Sequence, residues 1–464
     1  MKKANEAMTG REAAVRSLGE FRLHNQWDKL KPEHHFENAS EQRREIALAT
    51  QIINGVMQNM AYCDHIAAHY SSRELKTLHP RVLDILRVSI YQIVFLTRIP
   101  HSAAVKEGVK LTQKLSNNRA AGYINALLRR VCVAASDNTL PDIKGDRLRQ
   151  LSVRYSHPKW LVVEFKKLLG DEGVEALLRI NNAQDTPVTV QVNTLRATTD
   201  DVLSMLTLDG VKANKHEWLY DCIELHRAGS ITRLGAFDKG YIYAQDAASK
   251  LAIIAAGPKE GDLVIDGCAA PGGKSFAAAI AMRNTGRIIA CDLNDLKLSR
   301  VVSGAERMGL SIISTLRKGA LSIDSASGAR PGKDTEHPPE DFTDSADVVI
   351  ADVPCSGYGV IWKKPEIRYK VKQETAELPE TQLNILTSLS TFVKPGGVLL
   401  YCTCTVLDRE NYGVITRFLR YNKRFQPEPF QLPGIGEAKK GSITLWPHLH
   451  GTDGFFICKM RKLY

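Results

Sequence analysis

The stretch "DLVIDGCAAPGGKSFAAAIAM", residues 262–282, decides the fold. An apolar run, Leu263 to Ile265, ends in Asp266. Glycines follow at Gly267, Gly272 and Gly273, and an alanine-rich helical segment begins near Ser275. Strand, glycine loop and helix in that order bring backbone N–H groups close to a ligand at the end of a parallel strand. Two ligand classes compete for such a loop. A phosphate loop of the form GxxxxGK[ST] needs glycine at position 268, where this chain has Cys268, and counted from Gly267 the spacing is one residue too long. S-adenosylmethionine (SAM) needs a loop around its amino-acid end and an acid on the next strand for its ribose. "GRIIACD" supplies that acid, Asp292, 26 residues after Asp266. A plain strand–helix turn without a ligand is the third reading.

Outward from this loop the same grammar repeats. "DLVIDG", "RIIACD", "DVVIAD" and "GVLLYCTC" are short apolar runs ending in Asp or Cys, with helical segments between them. This pattern predicts a parallel sheet with crossover helices. Two of the runs lead to cysteines, Cys355 after Asp352, and Cys402 with Cys404. Ligands of an open parallel sheet sit beyond the carboxyl ends of its strands, so these residues share an edge with the glycine loop. A thiol there is a candidate nucleophile. Methylation at C5 of cytosine needs one, because C5 becomes nucleophilic only after a thiolate adds to C6. The chemistry asks for a cysteine, a carboxyl group and one further acid or base, and Cys404, Asp352 and Cys355 supply the set. Cys402 reads as packing, although alternation along a strand would let it share a face with Cys404.

The 464 residues are too many for one ordinary domain, and 44% apolar with 24% charged residues suits a globular protein. No apolar run reaches the eighteen residues of a membrane span, and the N-terminus has no apolar stretch of a signal peptide, so the expected location is the cytosol. Nine irregularly spaced cysteines show no zinc-ligand spacing, and no metal is expected. The net charge is +11 and unevenly spread. Residues 1–150 hold 23 Lys and Arg against 15 Asp and Glu, and residues 401–464 hold 10 against 5. Basic ends around a near-neutral middle suit a polyanion partner, most simply nucleic acid.

Residues 1–135 place apolar residues at helical spacing throughout, as in "HPRVLDILRVSIYQIVFL" and "RAAGYINALLRRVCVAA". "VAASDNTLPDIKGD" reads as a linker, placed at 136–149. "TPVTVQVNTL" alternates as a strand and opens a small α+β domain over 150–235, and residues 236–464 form the α/β core. The polar, Pro- and Gly-rich stretch 324–346 reads as a surface insertion.

Taken together, "CAAPGGK" (268–274), "DVPCSGYGVIWKKPEIRY" (352–369), "LPETQLNILTSLSTFVKPGGVLLYCTCT" (378–405) and "HGTDGFFICKM" (450–460) resemble the motifs of the RNA cytosine-C5 methyltransferases. "RYSHPKWLVVEF", "VNTLRAT" and "YAQDAAS" resemble the small RNA-facing domain that precedes the core, and the helical N-terminus resembles the NusB-type RNA-binding fold. The resemblance covers nearly the whole chain. It implies a multidomain protein: an all-α NusB-like domain, a small α+β domain and a Rossmann-like SAM methyltransferase core. The three-part order is like that of family members that methylate a cytosine of 16S ribosomal RNA, here expected to act as a monomer. Carried over by position, Cys404 matches the nucleophile and Cys355 the cysteine that helps release product. Asp352 matches the acid at the target base. Cys268, Ala269, Ala270, Pro271, Gly272, Gly273 and Lys274, with Asp292 and Asp352, match the cofactor site. Two departures stand out: Ala320 occupies the place of an adenine-contacting acid, so that cofactor affinity is weaker, a substitute such as Asp324 serves or the match lies elsewhere, and Cys402 stands where a small residue is usual.

Overall fold

A computed structural model of the chain describes residues 7–24, 30–38, 42–183, 186–226, 229–317 and 342–464. Ala320, Asp324 and most of the 324–346 insertion lie outside the described residues. The chain divides into two units, one of residues 1–184 and 361–369, the other of 185–360 and 370–464.

The first unit is helical. Its helices are α1 (Gly10–His24), α2 (Arg43–Tyr70), α3 (Pro80–Phe95), α4 (His101–Leu115), α5 (Asn118–Ser136), α6 (Arg147–Arg154) and α7 (Lys159–Asn181). Local chemistry sets several starts. Pro80 opens α3, where its missing N–H costs nothing. The Asn117 side chain accepts the Ala120 N–H at 2.9 Å, and Asp146 that of Arg149 at 2.7 Å. Ile52, Val56, Ile85, Leu86, Ile124 and Leu128 fill the core. Helices α2 and α3 approach closely at Gly55, where an added Cβ would lie 1.8 Å from the Tyr91 ring. Residues 361–369 join this unit through Arg368, whose guanidinium is fully buried. It donates to the carbonyls of Gln58, Tyr155, Asn181 and Pro365 and to Asn182 Oδ1, at 2.7–3.1 Å. Burial pulls its pKa down to about 10.

The second unit begins with a four-stranded antiparallel sheet of β1 (Val188–Val192), β2 (Lys212–Lys215), β3 (Cys222–His226) and β4 (Ile242–Ala244), in the order β2-β3-β1-β4. Helix α8 (Thr199–Leu208) starts in a capping box made by Thr198 and Asp201, and Val202 and Leu206 pack with Val190, Val192 and Ile223. Short α9 (Gly235–Asp238) precedes β4.

Helix α10 (Ala247–Ala256) leads into the main sheet. Its parallel strands are β5 (Leu263–Asp266), β6 (Arg287–Asp292), β7 (Ile313–Arg317), β8 (Ala346–Asp352) and β9 (Val393–Thr403). Helices α11 (Gly273–Ala281), α12 (Asp295–Met308) and α13 (Leu378–Ser390) lie in the connections. After β9 come α14 (Tyr412–Tyr421), β10 (Phe425–Pro427), the hairpin β11 (Phe430–Leu432) with β12 (Gly436–Ala438), β13 (Ser442–Leu445), α15 (Pro447–His450) and β14 (Phe455–Lys462). The sheet order is β10-β14-β9-β8-β5-β6-β7, with β13 also on β14. The predicted parallel part is present, but β14 pairs antiparallel with β9 and closes that side with β10 and β13. An apolar run carries no direction; the pairing of its backbone with β9 sets it.

Candidate active site

Asp266 ends β5 fully buried, and the turn after it is tied down at once. Gly267 N–H donates to Ile350 O at 2.9 Å, Ala269 N–H to Cys291 O at 2.8 Å and Gly272 N–H to Ala269 O at 2.8 Å. Gly272 has φ 112° and packs on the Phe276 ring, so both its conformation and its space require glycine. Ser275 Oγ donates to Asp266 Oδ2 at 2.8 Å, while Asp266 Oδ1 is buried with no partner among the described residues. Burial raises the Asp266 pKa to about 6. Asp292 ends β6 partly exposed, and its Oδ1 accepts the Asn294 N–H at 3.0 Å.

Strands β8 and β9 carry the other groups. Asp352 and Cys402 are direct register partners across them. Cys402 is fully buried, and its Sγ reaches Asp352 Oδ1 at 3.6 Å. The other carboxylate oxygen, Oδ2, takes Lys274 Nζ at 2.5 Å. Burial lowers the Lys274 pKa, but Asp352, Cys402 and Asp266 outweigh it and hold the ammonium above its ordinary value. Nζ also stands 5.2 Å from the centre of the Phe455 ring. Past the strand ends, Cys355 Sγ and Cys404 Sγ are 3.2 Å apart and half-buried. Their protons are not equivalent. The hydrogen bond between them lowers the Cys404 pKa and, with burial, raises that of Cys355 well above its usual range. Two glycines let the loops close. Gly454 N–H donates to Gly359 O at 2.8 Å, and a Cβ on Gly359 would sit 1.8 Å from Gly454 O.

Residues 253–461 match the family described as 16S rRNA methyltransferase RsmB/F, residues 8–132 the NusB family, and residues 157–232 the ferredoxin-like domain of RsmF/B-type methyltransferases. A probable ribosomal RNA small subunit methyltransferase B of Bacillus subtilis is 33% identical over 91% of both chains. The chain belongs to the RsmB/F family of rRNA methyltransferases. A probable methyltransferase B from Synechocystis is 29% identical over 89% of this chain and 90% of its own. The crystal structure of PH0851 superposes with a TM-score of 0.77 at 28% identity, covering 99% of this chain and 100% of that one. A methyltransferase homolog from Pyrococcus horikoshii matches 69% of this chain and all of its own at a TM-score of 0.56 and 27% identity.

An RsmB/F enzyme is SAM-dependent, and the residues at the β5–α11 turn fit that cofactor. The turn is a glycine cradle at the start of α11 with an orphaned buried carboxylate oxygen behind it, and Asp292 ends the next strand. The structure thus brings Cys268–Lys274, Asp292, Asp352, Cys355 and Cys404 to one sheet edge. It also gives Lys274 a partner that its sequence neighbours do not reveal: its ammonium is engaged by Asp352 from another strand. No described helix is long and apolar enough to cross a membrane, and no group of His, Cys, Asp and Glu among the described residues could hold a metal ion.

Sequence reasoning missed Glu410, Gln382, Ser356 and Thr405. All four are fully buried around the cysteine loops. A Glu-Asn pair six residues past Cys404, in a chain segment that must turn sharply off a central strand, is the signal that could have found Glu410.

Proposed function

We propose that this rRNA methyltransferase acts on C5 of a cytosine in 16S rRNA, through a covalent bond between Cys404 and C6 of the base. The observation that carries the reading is the Cys355–Cys404 pair, 3.2 Å between sulfurs, within the electrostatic reach of Asp352. A thiolate is the attacking species, and a thiol is mostly protonated at neutral pH. The hydrogen bond between the two sulfurs favours the thiolate at Cys404, which leaves the shared proton on Cys355. Cys404 Sγ adds to C6, and the ring electrons move towards C5 and N3. N3 takes up a proton from solvent, and the Asp352 carboxylate, fixed by Lys274, accepts its hydrogen bond. Bound SAM supplies the methyl group as an electrophilic sulfonium methyl. Residues 268–274 would hold its amino-acid end and Asp292 its ribose. Once C5 is methylated, its proton leaves to solvent, the bond from C6 to Cys404 breaks, and the N3 proton returns to solvent. The sulfur regains its charge within reach of the Cys355 S–H, which stabilises it as a leaving group. The basic N-terminal residues supply phosphate contacts, and affinity for RNA should therefore fall steeply with salt.

Bisulfite sequencing of total RNA from cells with and without the gene tests the reading. One 16S rRNA cytosine should be protected only when the gene is present. Protection confined to transfer RNA, or no change at all, would overturn the 16S assignment.

A further inference from the structure

The two peptide groups on either side of Cys355 are held by the same pair of side chains. Gln382 Nε2, from α13, donates to Pro354 O at 3.0 Å and to Glu410 Oε2 at 3.0 Å. That same Glu410 oxygen accepts the Ser356 N–H at 2.8 Å. Ser356 Oγ then donates to Thr405 Oγ1 at 2.9 Å, next to Cys404. Glu410 is itself fixed, its carbonyl accepting the Tyr401 hydroxyl at 2.6 Å and its N–H donating to Leu407 O at 3.0 Å. The carboxylate has no exposure to solvent, and its second oxygen, Oε1, is buried with no partner among the described residues. A carboxylate kept dry with an orphaned oxygen is costly, and an uncharged glutamine would serve the two N–H groups more cheaply.

We propose that Glu410 is a positioning residue for the methyl-transfer reaction: its carboxylate fixes the peptide after Cys355 and keeps the proton of the sulfur pair on Cys355. The inference rests on the assignment of Cys404 as nucleophile. Charged and titratable groups face the pair from every side. Asp352 comes from β8 and Glu410 from the segment after β9, both opposing charge on Cys355. Cys404 meets Asp352 and Asp453, which oppose its charge, and Lys274 from α11, which favours it. Glu410 holds the N–H of the residue next to Cys355, and its charge opposes one on the Cys355 sulfur, so it weighs against a thiolate there. Like charges in a site shielded from water repel more strongly than in solvent. A thiolate at Cys355 is therefore disfavoured, and the one negative charge of the pair goes to Cys404. The same proton later faces the departing sulfur.

The test is alkylation of the full-length protein by iodoacetamide across pH, with each cysteine read by peptide mass spectrometry. In the wild type, Cys404 should react at lower pH than a free thiol and Cys355 only in alkali. Glu410→Gln keeps an oxygen for the Ser356 N–H and removes the charge. The onset of Cys355 alkylation should then move down by about one pH unit, as expected for losing a nearby like charge. Glu410→Ala should show the same shift and, having lost the brace, a lower melting temperature than Glu410→Gln. An unmoved Cys355 profile in Glu410→Gln overturns the role of Glu410. If wild-type Cys404 is not the thiol that reacts first, the nucleophile assignment fails instead, and the two failures are told apart by the wild-type curve alone.

Discussion

Lys274 and Asp352 are unequally buried, and that asymmetry sets a measurable order of damage. The Lys274 side chain is 9% exposed and that of Asp352 is 32% exposed, with the pair at 2.5 Å. Removing one partner of a buried ion pair leaves the other charge uncompensated, which costs about 3–5 kcal/mol when the survivor is fully desolvated. Asp352→Ala leaves the ammonium without its only direct ion-pair partner among the described residues, with just the Phe455 ring face and the more distant Asp266 charge and little water, so its cost should fall in that range. Lys274→Met strands a carboxylate that water already reaches, and its cost should be smaller, about 2 kcal/mol. The double variant removes both charges and should cost less than the two single changes together by roughly 2 kcal/mol or more. Native-state hydrogen exchange of amides in β5, β8 and β9 reads these energies locally, which matters in a chain of two units. Lys274→Met matching or exceeding Asp352→Ala, or a double variant that is merely additive, would refute the reasoning.

Three further outcomes are expected. Cys404→Ala should bind RNA but transfer no methyl group, while Cys355→Ala should accumulate enzyme covalently bound to RNA, seen as a shifted band on denaturing gels; the reverse pattern would make Cys355 the nucleophile. Asp292→Ala should weaken SAM binding on the order of 10-fold by calorimetry, the lower end of a charge-assisted hydrogen bond because the carboxylate is partly exposed; unchanged affinity removes it from the site. Asp266 is raised from 3.8 to about 6 in the fold, so the native state binds the extra proton. Its contribution to stability is therefore full below pH 4 and is lost as the pH rises through 6, by roughly 3 kcal/mol. Asp266→Asn should flatten that part of the melting-temperature profile, and an unchanged profile would mean that Asp266 is ionised throughout.

Legibility in the sequence followed the range of the interaction. The glycine loop, the strands that end in Asp266, Asp292 and Asp352, and the helical N-terminus could be read directly, because backbone conformation there answers to neighbours a few residues away. A turn that needs φ 112° at residue 272 selects glycine whatever the rest of the chain does. The edge that gathers the candidate residues also followed from sequence, since all parallel strands of one sheet point their carboxyl ends the same way. What local pattern could not reach was the pairing. That Asp352 meets Cys402 depends on the register of β8 against β9, including an irregularity near Ala346 and Val348. A slip of one residue would turn every side chain of β9 to the opposite face, with nothing in its apolar run to forbid it. The 3.2 Å between Cys355 and Cys404 depends on Gly359 meeting Gly454 and on Ser356 meeting Thr405 and Glu410, contacts across 49 to 95 residues of chain. The sequence by itself determined which chemical groups stand at the sheet edge. The tertiary structure alone decided which of them touch, because desolvation and long-range strand pairing give Lys274 its carboxylate, Glu410 its burial and each sulfur its share of the proton.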